Sequence, residues 1–480
     1  AGQGCWQILP LGPTSYGDSP YQSFSTFAGN PYFISLEDLI EEGVLTEKEC
    51  DAVDFGSRED DVDYEKIYKG RYKLLRKAYE RSDISKNPDF VRFQQEQAHW
   101  LGDYALFMAV KDRFEGIPWT EWAEDIRLRW NNALDYYREE MYFEIEFQEY
   151  MQFKFRQQWM KLKAYANEKG IQIIGDIPIY VAMDSADTWA NPWLFKLDEK
   201  NCPTQVAGCP PDGFSATGQL WGNPLYNWPY HKQTGYAWWI RRVRHALGIY
   251  DLLRIDHFRG FDTYWAIPAG SPTACTGKWE IGPRMDLFHA LEAALGKLPI
   301  IAEDLGELFP SVRELLADST FPGMKVLQFA FGGGDNEYLP HNYVKNSVVY
   351  PGTHDNTTLT DWWENAATGK EKANAAAYLH LTPCKPTAKE VAAVKPDAAR
   401  IALLRAALGS VADRAIIPMP DWLGLGAEAH LNTPGKLGGN WTWRAAEGFD
   451  AEPLASRIQA ECEVYCRAKE PVEKEAKTSI

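Results

Sequence analysis

Residues 251–260, DLLRIDHFRG, begin as an apolar strand and end in a dense polar cluster. Arg254 and Asp256 are two positions apart, so on a strand they point to the same side. A guanidinium beside a carboxylate favours its ionised form, and an oriented, ionised aspartate can serve as a nucleophile. In LPIIAEDL (residues 298–305), Glu303 follows four apolar residues. A carboxyl in such surroundings holds its proton more tightly, which suits a general acid. Two carboxyl groups whose environments push them apart are the signature of glycoside chemistry. SVVYPGTHD (residues 347–355) delivers a third, Asp355, to bind sugar hydroxyls or to hold a ring near an oxocarbenium-like transition state. His257 and His354 offer hydrogen bonds to hydroxyls, and GIQIIGD contributes Asp176. Asp304, by contrast, reads as the N-cap of the helix after EDLGEL.

Those groups share a position: each ends an apolar run. Seven runs recur, at residues 4–11, 170–181, 250–258, 298–305, 324–331, 347–355 and 414–424, most separated by amphipathic stretches such as YAWWIRRVRHAL. They are near-continuous rather than alternating, as for strands covered on both faces, and strand–helix alternation predicts a parallel sheet. No dinucleotide or P-loop glycine spacing occurs; FGGGDN (residues 331–336) has neither. The expectation is an α/β fold, a (β/α)8 TIM barrel whose site lies at the C-terminal mouth of its strands. Seven runs are one short of eight, so a first strand and helix are expected upstream of Ala1. Residues 43–156 and 370–404 carry apolar residues at helical spacing and read as helical insertions in a single catalytic barrel domain.

Composition narrows the chemistry. A net charge of −17 argues against a nucleic-acid or anionic-membrane partner, and no stretch approaches the ~20 apolar residues that span a bilayer. Nineteen tryptophans and a 14% aromatic fraction suit a cleft lined with flat apolar faces, as sugars require. Eight scattered cysteines predict no disulfide scaffold. Cys462 and Cys466 lack a second pair at ligand spacing, and no H-E-x-x-H or facial triad occurs, so neither a metal nor a cofactor is expected.

Longer stretches resemble the 4-α-glucanotransferase family (amylomaltase, or disproportionating enzyme), within the α-amylase-like barrels. They are GDSPYQSFSTFAGNPYFISLEDL, GDIPIYVAMDSADTWANPWLF, PPDGFSATGQLWGNPLYNW, LRIDHFRGF, IAEDLG, GMKVLQFAF, GTHDN and LNTPGKLGGNWTWR. The resemblance implies Asp256 as nucleophile, Glu303 as acid/base and Asp355 as transition-state stabiliser, with Arg254 and His354 supporting. It implies Asp212, Ser215 and Trp221 in a loop (residues 192–232) over the site, and Tyr21, Tyr64 and Asn432 at sugar-contacting positions. The implied substrates are α-1,4-glucans and malto-oligosaccharides, with glucose as acceptor, in a cytoplasm or plastid stroma. A plain α-glucan hydrolase and a non-catalytic glucan-binding barrel stay open as alternatives.

Overall fold

The computed structural model describes residues 1–15, 17–211, 215–306, 308–436 and 438–469. Seven parallel strands form its centre: β1 (Cys5–Gln7), β2 (Gln172–Pro178), β3 (Leu252–Asp256), β4 (Ile300–Ala302), β5 (Gly323–Val326), β6 (Ser347–Tyr350) and β7 (Arg414–Ala415). Each lies within one of the seven apolar runs or begins next to it. One hydrogen-bonded ladder runs β1-β2-β3-β4 and a second β5-β6-β7. The two are stitched where the Ala302 N–H donates to the Pro322 carbonyl at 3.0 Å. Consecutive strands are therefore neighbours, with amphipathic helices outside, as in the expected barrel.

β1 and β7 do not pair with each other among the described residues, and an opening of about 740 Å³ lies between them, lined by Gln3, Cys5, Gln7, Ala415 and Ile417. The interior bridges that side nonetheless: the Tyr350 hydroxyl on β6 donates to Gln7 Oε1 on β1 at 2.8 Å. Ile174, Leu252, Ile301, Met324, Val348 and Tyr350 pack as one buried layer inside the strands. Truncating one of them, such as the fully buried Ile301, to alanine costs roughly 2–5 kcal/mol. Gly175 on β2 has a packing reason: an added Cβ would lie 2.2 Å from the Tyr250 ring.

Two runs end as strands sooner than their apolar length suggests. β5 stops at Val326 and the chain turns through a 3-10 helix, Leu327–Gly332. β7 is two residues long, and Pro418 then caps the helix Met419–Leu423. In both, the apolar residues continue as buried helical turns, which periodicity over so few residues cannot separate from strand.

Residues 43–156 are helical, with Tyr64–Arg81 and Leu101–Arg113 packed on the long helix Tyr142–Glu168. That last helix runs past residue 156 and leads directly into β2. Residues 370–404 contribute to the helices Gly369–Tyr378, Ala388–Ala392 and Pro396–Leu408, over a second apolar cluster with Trp362, Trp363 and Trp422. Residues 192–232 are more than a loop. They include the strands Gln205–Cys209 and Gln219–Pro224, which join Thr263–Pro268 and Lys278–Ile281 in a four-stranded antiparallel sheet. No helix among the described residues is long and apolar enough to cross a membrane.

Candidate active site

Register places the charged residues side by side. Asp176 on β2 is opposite Arg254 on β3, and Ile255 is opposite Ala302 on β4, so Asp256 and Glu303 follow at neighbouring strand ends. Inward-facing positions on β3 alternate Leu252, Arg254, Asp256, which carries the charge from the buried layer to the mouth. Arg254 is 3% exposed; its Nη1 donates to Asp176 Oδ2 at 2.6 Å and its Nη2 reaches Asp256 Oδ1 at 3.1 Å. The same Asp176 oxygen accepts the Tyr21 hydroxyl at 2.8 Å. Asp176 is itself 1% exposed, so it lies behind the mouth as the anchor of Arg254 and Tyr21.

After β3 the chain turns sharply at His257, whose φ of 55° is a left-handed conformation uncommon for a side-chain-bearing residue. That turn aims the His257 N–H at Glu303 Oε2 (2.6 Å), while the Leu305 N–H donates to Oε1 (2.9 Å). Both carboxylate oxygens of Glu303 are thereby held. The His257 ring meets Trp221 edge-on, centroids 4.9 Å apart, which ties the antiparallel sheet to the mouth. Burial, then the charge of Arg259, pushes His257 down to about 3, so its imidazole is neutral.

The two carboxyl groups separate in proton affinity. Burial, then the charge of Asp256, pushes Glu303 up to about 8, and the two backbone donors oppose this only in part. Burial also raises Asp256, to about 6, and Arg254 is the strongest opposing influence, against Asp176 and Asp355. Both are raised by burial, and Glu303 holds its proton more tightly than Asp256, because Arg254 stands against Asp256. The Tyr21 hydroxyl is raised well above the usual tyrosine range, first by burial and then by Asp176, and remains a donor.

Asp355 and His354 sit on the loop after β6. Asn432 Nδ2 donates to Asp355 Oδ1 at 2.6 Å, and the Asn432 N–H donates to the His354 carbonyl at 3.1 Å. His354 Nε2 lies 3.4 Å from Asp355 Oδ1, and the His354 ring stacks on Tyr21 at 5.3 Å. Tyr64 contributes differently: its hydroxyl donates to the Trp441 carbonyl at 2.6 Å. Ser215 Oγ donates to the Gly218 carbonyl at 2.8 Å, within the turn before Trp221. Asp212 lies outside the described residues.

Trp441 has no role in the sequence reading, yet it packs on both Tyr21 (5.9 Å) and His354 (5.7 Å). Its φ is 65°, inside a glycine-rich turn. A tryptophan among glycines was the available signal, but its partners are far away in sequence, Tyr21 near the start of the chain and His354 on the loop after β6. Asp304 is a correction. It caps no helix: its Oδ1 accepts the Met324 N–H at 2.6 Å, and the next helix begins at Pro310 after Phe309, with no side-chain cap. A buried carboxylate gains more from a strand's free N–H beside it than from a helix six residues on.

A family model described as 4-alpha-glucanotransferase matches residues 1–449. A 4-alpha-glucanotransferase of Clostridium butyricum is 45% identical over 471 residues, covering 98% of this chain and 94% of that one. The chloroplastic/amyloplastic 4-alpha-glucanotransferase of Arabidopsis thaliana is 41% identical, covering 97% and 80%. Among solved structures, the amylomaltase of Streptococcus agalactiae in complex with acarbose superposes with a TM-score of 0.91 at 40% identity, covering 97% of this chain and 92% of that one.

Proposed function

The chain belongs to the 4-alpha-glucanotransferase family, and from that premise we propose how Asp256, Glu303 and Asp355 divide the reaction. The enzyme transfers α-1,4-glucan segments to the 4-hydroxyl of an acceptor glucan or of glucose. Asp256 attacks the anomeric carbon while the Glu303 proton goes to the departing glycosidic oxygen, which leaves a β-glucosyl ester on Asp256. Glu303, now ionised, takes the proton of the incoming 4-hydroxyl, whose oxygen displaces Asp256 and restores the α configuration. Asp355 faces the positive charge that develops on the ring. Arg254 keeps Asp256 anionic, and Tyr21, Trp221, His257, His354 and Asn432 line the place of the sugar. Tyr64 holds Trp441 against it, and Asp176 holds Arg254.

The observation that carries this reading is the pairing of Asp256 and Glu303 at in-register ends of adjacent strands, with proton affinities ordered for a nucleophile and an acid. Maltotriose alone tests it. Disproportionation yields glucose and oligomers longer than the substrate, and Asp256→Asn abolishes both. Glucose and maltose as the sole products would make the enzyme a hydrolase, and an inactive parent that still binds glucan would make it a binding barrel. The proposed location is the cytoplasm, or a plastid stroma; eight cysteines scattered over 480 residues suit either reducing compartment.

A further inference from the structure

The loop that presents Asp355 leaves β6 at Pro351 and re-enters a helix, Leu359–Asp361. Its tip is exposed, and its two ends converge on one buried residue, Gln328, in the 3-10 turn after β5. Gln328 is 6% exposed. Its backbone N–H donates to the Pro351 carbonyl at 3.1 Å, and its side-chain Nε2 donates to the Thr357 carbonyl at 2.8 Å. One residue thus holds the loop on both sides of Asp355. The loop also lies flush on it: a Cβ added at Gly352 would be 2.7 Å from Gln328 Nε2. Within the loop, Asn356 Oδ1 accepts from the Thr353 N–H and hydroxyl at 2.9 and 3.0 Å, so the turn between the two clamps is stiff.

We propose that Gln328 is a positioning residue for Asp355: by clasping both ends of the 351–357 loop it sets where the Asp355 carboxylate stands relative to the reacting ring. This rests on the reading of Asp355 as the group that stabilises the transition state. Gln328 touches no substrate. It acts through loop geometry, and a displacement of about 1 Å at such a carboxylate can cost ~100-fold in rate. The Gln328 N–H bond to Pro351 carries the β5–β6 register one step beyond the last paired residues, Val326 and Tyr350, and the side chain then reaches Thr357.

The test is a double-mutant cycle on the full chain, read as fluoride release from α-maltotriosyl fluoride with maltotriose as acceptor. Gln328→Leu removes the donor while keeping an apolar volume. It is expected to lower kcat roughly 10- to 100-fold with KM within about two-fold, since an interaction made only in the transition state lowers kcat and kcat/KM together. In the Asp355→Asn background the same substitution is expected to change kcat less than about two-fold, because the group it acts through is already lost. Gln328→Met, of similar length but without a donor, is expected to follow Gln328→Leu and serves if the leucine variant does not fold. Equal losses in both backgrounds would reduce Gln328 to general packing, and an unchanged kcat in a folded Gln328→Met would end the proposal. An Asp355→Asn enzyme as fast as the parent would instead remove the reading of Asp355.

Discussion

Replacing Arg254 by methionine isolates what a single charge does for Asp256, the proposed nucleophile. Arg254 Nη2 stands 3.1 Å from Asp256 Oδ1, an attraction on the order of 5 kcal/mol at an effective dielectric of ~20. Part of that is offset by Asp176, which shares the same guanidinium at 2.6 Å and repels Asp256 once the cation is gone. An arginine neighbour typically lowers an aspartate by about 1–3 pKa units, so Arg254→Met should lift Asp256 from about 6 to about 8 or above. At pH 7 the ionised fraction of Asp256 then falls from about nine tenths to about one tenth or less. The assay is kcat/KM for maltotriose between pH 5 and 9, followed by glucose release. The expected result is a loss of roughly 10-fold or more at pH 7, with the acid limb displaced upward and the remaining activity greatest near pH 8, above which Glu303 loses its proton. Unpaired Asp176 will cost roughly 3–5 kcal/mol of stability, so rates are taken well below the melting midpoint. Asp176→Asn is the opposite perturbation: it removes a repelling charge while keeping Arg254, and its acid limb should move down. A loss in Arg254→Met that is the same at every pH would refute the electrostatic reasoning and leave Arg254 a purely geometric role.

The parent enzyme should show a bell-shaped kcat/KM profile with limbs near 6 and 8, set by deprotonation of Asp256 on the acid side and of Glu303 on the alkaline side; a flat profile from pH 5 to 9 would contradict it. Glu303→Gln should cut maltotriose disproportionation about 100- to 10,000-fold and the first step with a glycosyl fluoride far less, because fluoride departs without a proton; equal losses on both donors would deny Glu303 its acid role. Asp421, 2% exposed, accepts the Leu359 N–H at 2.7 Å and is pushed up to about 7, chiefly by burial. Its folded state binds a proton that the unfolded chain releases near pH 4, so its contribution to stability declines as pH rises from about 4 to about 7. Asp421→Asn should therefore raise the melting midpoint at pH 8 and leave it nearly unchanged at pH 4, as differential scanning calorimetry would record.

Much of this site was legible in one dimension because it is built from local patterns. An apolar run that ends in a charged residue specifies both a strand and its mouth, so Asp176, Arg254, Asp256, Glu303 and Asp355 could be collected at one rim before any coordinates. The i, i+2 spacing of Arg254 and Asp256 and the apolar approach to Glu303 already carried their electrostatic logic. Tertiary structure decided what depends on partners far apart in the chain. It turned Asp176 from a rim group into the buried anchor of Arg254, moved Asp304 from a helix cap to the edge of β5, and set Trp441 against Tyr21 and His354. It set Gln328, just past the end of β5, against both ends of the Asp355 loop. Periodicity records which face of an element is buried, but a hydrogen bond between residues 176 and 254, or 328 and 357, exists only after the chain has closed on itself.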